Sequence, residues 1–417
     1  MLSRRDFSKF LISGKAAALA SLGHWHPNSN ASPNQTQAPA TQDIDLLIKD
    51  GTIIDPGQKL HTVADVAIKQ GKVLEISPNI SEKRALQVFS AKNRIVTPGL
   101  IDLHVHCFDG VGVCINADHY CLSKGVTTVI DAGSAGYSLI ANFRKYVMSA
   151  SATRIKALVN ISPLGQVVGA DKAWEKMEWL DPALAAEAAK TNAQDVLGIK
   201  VQLGGPEQGA RDKEVLNRAL RAAEIAQTPL MAHIDLTYST LPELLSPLRK
   251  GDVYTHFLNG HPHGILDENG RLLPVAREAR ARGVFFDVGQ GSVHLSFAVA
   301  QTCLDQGFPP DTLSTDLNQR AVLSQVYDLP TMVSKFVALG ISLDDAIRMV
   351  TFNPTQIFDF REQIGTLRPG SEGDVAIFEL QEGKCEFADS EGKTIVGRQK
   401  LVSSAVVRHG QLFNNMV

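Results

Sequence analysis

The chain has 417 residues, 44% hydrophobic and 20% charged, with a net charge of −3. That is enough chain for one large buried core and a smaller one, and no run of one charge sign suggests nucleic acid or an anionic membrane surface as a partner. The five cysteines, Cys107, Cys114, Cys121, Cys303 and Cys385, are odd in number and lack CxxC spacing, which argues against a zinc finger or a disulfide framework.

In chain order, "SRRDFSKFL" (Ser3–Leu11) sets two arginines before the apolar stretch "LISGKAAALASL". This resembles a twin-arginine export signal, with Lys15 a small departure. His24 to Thr41 is rich in Pro, Asn, Ser, Gln and Ala and reads as a disordered spacer, with Ala38-Pro39-Ala40 a candidate cleavage site. The expectation is residues 1–40 as signal and spacer, and export of folded, metal-loaded protein through the twin-arginine machinery to the periplasm. Cys114 and Cys121 could pair in such an oxidising compartment, but two buried free thiols are the preferred reading. No other stretch approaches the ~18 apolar residues of a membrane span.

Short strand-like runs come next: "DLLIKDGTIID", "DVAIKQGKVLEI" and "RIVTPG", with "DVAIFEL" and "SSAVVRHGQLF" near the far end. Residues 41–98 and 364–417 are therefore expected to join in one small β-sandwich domain. Between them, residues 99–363 alternate apolar runs with Ala-rich helical segments such as "DPALAAEAAK" and "EVLNRALRAAEIA", the pattern of parallel βαβ units. Eight runs are identified: "LIDLHVH", "GVTTVIDAG", "RIKALVNIS", "VLGIKVQL", "PLMAHID", "VYTHFLNG", "GVFFDVG" and "DTLSTDLN". Eight runs in about 260 residues predict an α/β fold with a (β/α)8 TIM barrel. The last run is weak as a strand by composition.

A barrel of this kind gathers its active site at the C-terminal ends of its strands. The unusual polar residues fall there: His104 and His106 on the first run, Lys200 on the fourth, His233 on the fifth, His256 on the sixth and Asp316 on the eighth. His104 and His106, two apart on a strand, point the same way. Alone, each histidine reads as a satisfied core residue and Asp316 as a helix cap. Together on strand ends they read as ligands for two divalent cations.

Lys200 in "GIKVQL" would alone read as a lysine whose stem packs while its head reaches water. Beside four imidazoles and a carboxylate it supplies what the set lacks, a bridging anion. A neutral lysine amine adds carbon dioxide to form a carbamate, and burial frees the amine by lowering its pKa. Lys200 is thus expected to be N6-carboxylysine.

This arrangement resembles the amidohydrolase superfamily, in its two-metal branch with a carboxylated lysine. "VTPGLIDLHVH" matches the opening signature and "TFNPTQIFDF…IGTLRPGSEGDVAIFEL" the closing one. The resemblance implies that His104, His106 and Asp316 bind the more buried metal, His233 and His256 the more exposed one, and carboxylated Lys200 bridges them. It implies a metal-bridging hydroxide as nucleophile and Asp316 as general base and acid. Four imidazoles make zinc the default metal, with manganese, cobalt and iron also compatible. The cofactors are then two divalent ions, Zn2+ by default, and CO2 for the lysine.

Dihydroorotases typically carry an arginine just after HxH, where this chain has Cys107 and Phe108. Acetylglucosamine-phosphate deacetylases use a glutamate on an earlier strand, and "ALVNIS" has none. The segments "GVTTVIDAGSAG", "GIKVQLGGPE" and "THFLNGHPHGILDENG" look most like the deacetylase metallohydrolases, whose members resemble amide and ester hydrolases of acetylated amino or hydroxy acids. The expected partner is a small acylated substrate, contacted by Asn259, His261, Gln290 and His294 in the sixth and seventh loops. A cyclic amidohydrolase opening hydantoin, dihydropyrimidine or lactam rings is the runner-up, and a metal-free scaffold protein is disfavoured by the unbroken ligand set. Oligomeric state is open, a homo-oligomer being compatible.

Overall fold

Two sheets organise the chain. The computed structural model describes residues 42–168, 176–204 and 209–414. The twin-arginine segment, the spacer and the Ala38–Ala40 site lie outside these residues.

The first sheet is built from both ends of the chain: β1 (Ile44–Asp55), β2 (Leu60–Lys69), β3 (Lys72–Ser77), β4 (Ala85–Ser90) and β5 (Ile95–Pro98) from one end. From the other come β13 (Val375–Ala388), β14 (Thr394–Arg408) and β15 (Gln411–Asn414). Its order is β15-β14-β13-β5-β1-β2-β3, with β4 pairing β1. The two ends join where β5 runs antiparallel to β13, with Pro98 opposite Val375 and Ile95 opposite Phe378. Leu46, Ile48 and Ile53 of β1 bury against Val66, Val96, Val375, Ile377 and Val407 in one apolar cluster. Each such aliphatic side chain stabilises the fold by about 1.5–3 kcal/mol on burial.

The second sheet is wholly parallel and runs in chain order: β6 (Leu100–Val105), β7 (Val126–Gly136), β8 (Arg154–Asn160), β9 (Val196–Leu203), β10 (Leu230–Ile234), β11 (Val253–Thr255) and β12 (Phe285–Asp287). Every residue of β6, β7 and β8 is buried, which explains their nearly continuous apolar runs. The intervening helices form where the Ala-rich segments lie. The helix Pro182–Thr191 starts at Asp181, whose Oδ1 accepts from the Ala183 amide at 2.8 Å, with proline in the first turn. The helix Asp212–Ala226 buries Val215, Leu216, Ala219, Leu220, Ala222 and Ala223 as one stripe, the spacing that seats a helix on a sheet.

The eighth run closes the barrel without forming a regular strand. Thr312 bridges Asp287 of β12 and Leu317 bridges Val105 of β6, both in parallel. Asp316 between them sits at φ +50°, and the side chains of Thr312, Ser314 and Thr315 bond to buried carboxylates. A run so rich in Ser, Thr and Asp spends its polar groups on side-chain bonds rather than a ladder. All five cysteines are free, and Cys107, Cys114, Cys121 and Cys303 are buried.

Candidate active site

The polar residues of the strand ends converge at one end of the barrel. His104 is the fifth residue of β6, and His106 lies just past its end; His233 is the fourth residue of β10; His256 comes directly after β11. Two groups form, His104–His106–Asp316 and His233–His256–His294, and within each the potential ligand atoms lie within 4.8 Å of one another. The groups adjoin, since the His104 and His256 rings are 4.9 Å apart. Lys200, the fifth residue of β9, enters beside them with Nζ 3.3 Å from His104 Nε2.

Hydrogen bonds set which ring nitrogen is free. His256 Nδ1 lies 2.6 Å from the Gly289 carbonyl and must donate to it. Its Nε2 is then a bare lone pair, and that atom is buried with no hydrogen-bond partner. The Thr255 hydroxyl donates to Asp287 at 2.8 Å, so it accepts from His104 Nδ1 at 3.0 Å. His104 Nε2 is likewise left as an acceptor. His106 is held through Nδ1 by Ser134 Oγ at 2.9 Å, and its Nε2 lies 3.2 Å from Asp316 Oδ1. An orphaned buried imidazole nitrogen beside a carboxylate and further imidazoles fits a divalent cation, a donor set suited to zinc.

Electrostatics point the same way. Burial, then the Lys200 charge, lowers the His104 pKa to about 4, which keeps the ring neutral and able to ligate. Burial lowers the Lys200 pKa to about 8, which raises the share of neutral amine, the form that reacts. Burial alone would raise Asp316, but the imidazoles of His104, His106 and His294 hold its carboxyl well below the usual range.

The backbone is shaped around these groups. His256 and Asp316 sit in the left-handed region at φ +70° and +50°, strain that persists only where the surroundings enforce it. Gly133, at φ +84°, lets β7 pass Lys200 closely, because a Cβ there would lie 2.8 Å from the lysine Cβ and Cγ. At Gly291, also at positive φ, a Cβ would lie 2.4 Å from Asp316 Oδ2. Neither position admits a larger residue without moving the site.

The expected substrate contacts divide. His294 joins the His233–His256 group, and His261 approaches through Asp235, its Nδ1 2.5 Å from Asp235 Oδ1. Asn259 turns inward: its amide donates to the His256 carbonyl at 2.7 Å and its oxygen accepts from the His261 amide. Gln290 is buried, accepting from Lys335 Nζ at 2.7 Å. Sequence reasoning missed the residues that hold the histidines, namely Ser134, Asp235, Thr255 and Asp287. Asp287 has a visible signal as the one charge in "GVFFDVG"; it is fully buried and accepts from Thr255, Thr312 and Ser314.

The profile of the amidohydrolase family matches residues 95–407. The chain belongs to that family. This amidohydrolase is 33% identical to a deacetylase of Enterococcus faecalis over 377 residues, covering 89% of this chain and all of the relative. Among solved structures, an adenine deaminase superposes with a TM-score of 0.81 at 32% identity, covering 89% of this chain and all of the other. A dihydroorotase superposes at 0.79 and 26% identity, covering 88% and 97%. The barrel, the β domain from both chain ends and the family resemblance read from the opening and closing motifs are thus borne out. The chain is a hydrolase acting on carbon–nitrogen bonds, in a family that generally binds divalent metals.

Proposed function

We propose that this amidohydrolase is a two-cation deacetylase of small N-acetyl or O-acetyl amino or hydroxy acids. The observation that carries the chemistry is the buried Lys200 amine, set against His104 of one group of potential ligands, with no carboxylate pairing it among the described residues. His104, His106 and Asp316 would hold one cation and His233 and His256 the other, with Lys200 bridging as its carbamate. Cations held there, zinc by default, supply Lewis-acid polarisation of a carbonyl and acidification of water.

The chain's own residues do the rest. Asp316, ionised and fixed by its strained backbone, accepts the proton of the attacking water and delivers it to the leaving nitrogen or oxygen. Thr255 and Asp287 hold His104 in its tautomer, and the Gly289 carbonyl does the same for His256.

The choice of acetyl rests on the similarity to the Enterococcus faecalis deacetylase and on the two residues after His106. Cys107 is buried with its thiol pushed well above the usual range by burial, then by Asp131, and Phe108 stacks on Phe143 at 4.7 Å. Neither offers a cation to a carboxylate-bearing ring. The similarity to a dihydroorotase keeps ring opening as the second reading. Export rests on Arg4 and Arg5, and loss of periplasmic protein on replacing both with lysine would support it.

The test is acetate release by zinc-loaded, bicarbonate-treated protein from a panel of N-acetyl and O-acetyl acids. Hydantoin, dihydrouracil and adenine are assayed in parallel. Acetate release is expected; ring opening or ammonia release without it would overturn the deacetylase reading.

A further inference from the structure

His294 lies in the loop after β12 and is 8% exposed. Its Nε2 is 3.2 Å from Asp235 Oδ2. A carboxylate only accepts, so Nε2 carries the hydrogen of that bond. Its Nδ1 is buried with no hydrogen-bond partner, and the atom facing it is Asp316 Oδ2 at 3.7 Å. That is too long for a hydrogen bond, and two electron-pair donors this close require positive charge at or between them. The ring is stacked on His256 at 4.0 Å and lies 5.0 Å from the His233 ring. Its ligand atom falls within 4.8 Å of theirs.

We infer that His294 is a third imidazole ligand of the cation held by His233 and His256, with Asp235 as the positioning residue that fixes its ring. The inference rests on the two-cation reading and adds a donor from the seventh loop, where that reading placed only a substrate contact. Asp235 comes directly after β10, the strand that carries His233, so one strand end supplies both a ligand and the anchor of a second. Its other oxygen takes His261, which fixes the carboxylate from both sides. Gly291 completes the arrangement, since a Cβ there would lie 2.9 Å from His294 Nδ1 and 2.4 Å from Asp316 Oδ2. The loop can therefore bring His294 to the centre only with glycine at that position. A carboxylate-held imidazole is a better donor than a free one, because its tautomer and orientation are set in advance.

The experiment is titration of metal-stripped full-length protein with cobalt(II) in bicarbonate buffer, tracking stoichiometry, affinity and the visible ligand-field spectrum. Wild type, His294→Ala and Asp235→Asn are compared. Wild type should take up two ions per chain. His294→Ala should keep the tighter ion, bind the weaker one at least about 10-fold less well, and change its visible band. Asp235→Asn keeps the imidazole and should weaken the same ion about 10–100-fold; it carries the test if His294→Ala does not fold. Equal affinity and an unchanged spectrum for both ions in the variants, with altered KM alone, would return His294 to substrate binding and overturn the inference. Fewer than two ions in wild type would instead overturn the two-cation reading and this inference with it.

Discussion

Two lysines on adjacent strands of one barrel are buried to nearly the same degree, and only one of them is chemically unusual. Lys156 sits near the start of β8, 3% exposed, and Lys200 past the middle of β9, 1% exposed. Lys156 Nζ donates to Glu362 at 2.9 Å and to the Gln194 carbonyl at 3.0 Å, with Asp195 at 3.6 Å. Lys200 Nζ meets His104 Nε2 at 3.3 Å and Met231 Sδ at 3.4 Å, neither of them an anion. Burial costs an ammonium several kcal/mol unless a partner offsets it; Lys156 has an anionic partner, whereas burial lowers the Lys200 pKa to about 8. Burial alone does not mark a functional lysine; burial without a counter-charge and beside potential metal ligands does.

The same contrast separates the two ends of the barrel. The cavity near the start of β8, about 660 Å³, is lined by Arg144, Arg154, Lys156, Glu362, Glu372 and Arg408. Its charges answer one another: Arg154 reaches Asp374 at 2.5 Å and Glu372 at 3.1 Å, and Arg144 reaches Asp195 at 2.8 Å. That end is a paired seam to the β domain. The other end holds strained backbone at His256 and Asp316, orphaned imidazole nitrogens and an amine with no carboxylate partner among the described residues, the features of a site that expects a ligand.

The largest effect expected from breaking this contrast is at Lys200. Lys200→Ala should take turnover to background, and short carboxylic acids should restore part of it by occupying the bridge. Full turnover without added acid would remove the proposed carbamate, and the measurement is initial rate with and without propionate. Next comes Asp316→Asn, which should cut kcat about 10²–10⁴-fold while metal content, read by elemental analysis, is largely retained. Unchanged kcat would exclude Asp316 as the base.

At the paired end the expectation reverses. Lys156→Met should leave kcat and KM near wild type and lower stability by about 1–3 kcal/mol, read by denaturant unfolding, because Glu362 loses its buried partner. A large fall in kcat would erase the distinction between the ends.

The smallest effect concerns a third buried lysine, Lys335, held only by the neutral oxygens of Gln290 and Gln325. Burial lowers its pKa to about 7, below the unfolded value of 10.5. Below pH 7 both states hold the proton and the full cost of the buried charge is present. Between pH 7 and 10.5 the unfolded chain binds more protons, so wild type gains stability as pH rises. The stability of Lys335→Met relative to wild type should therefore be greater at pH 6 than at pH 9.5. A difference independent of pH would contradict that account.

Much of the site is legible in the sequence because its signals are local. The HxH spacing, a lysine inside an apolar run, and single polar residues at strand ends can each be read in a window of a few residues. The groups that hold them cannot. His104 meets Thr255 across 151 residues of chain and Arg154 meets Glu372 across 218, contacts that exist only once strand order and closure are known. The eighth run is hard to read for a related reason: it closes the barrel by two bridges and by side chains bonded to Asp102 and Asp287, so it lacks a strand's apolar pattern. His294 reads in sequence as a substrate contact in a polar loop and not as a ligand, because its place beside His233 and His256 depends on Asp235, far away in the chain.

The most direct test of the carbamate at Lys200 is carbon-13 NMR of zinc-loaded protein prepared in ¹³C-bicarbonate. One carbamate resonance per chain is predicted, absent in Lys200→Ala and retained in Lys156→Met. No carbamate in the active wild-type protein, or one that survives Lys200→Ala, would contradict it.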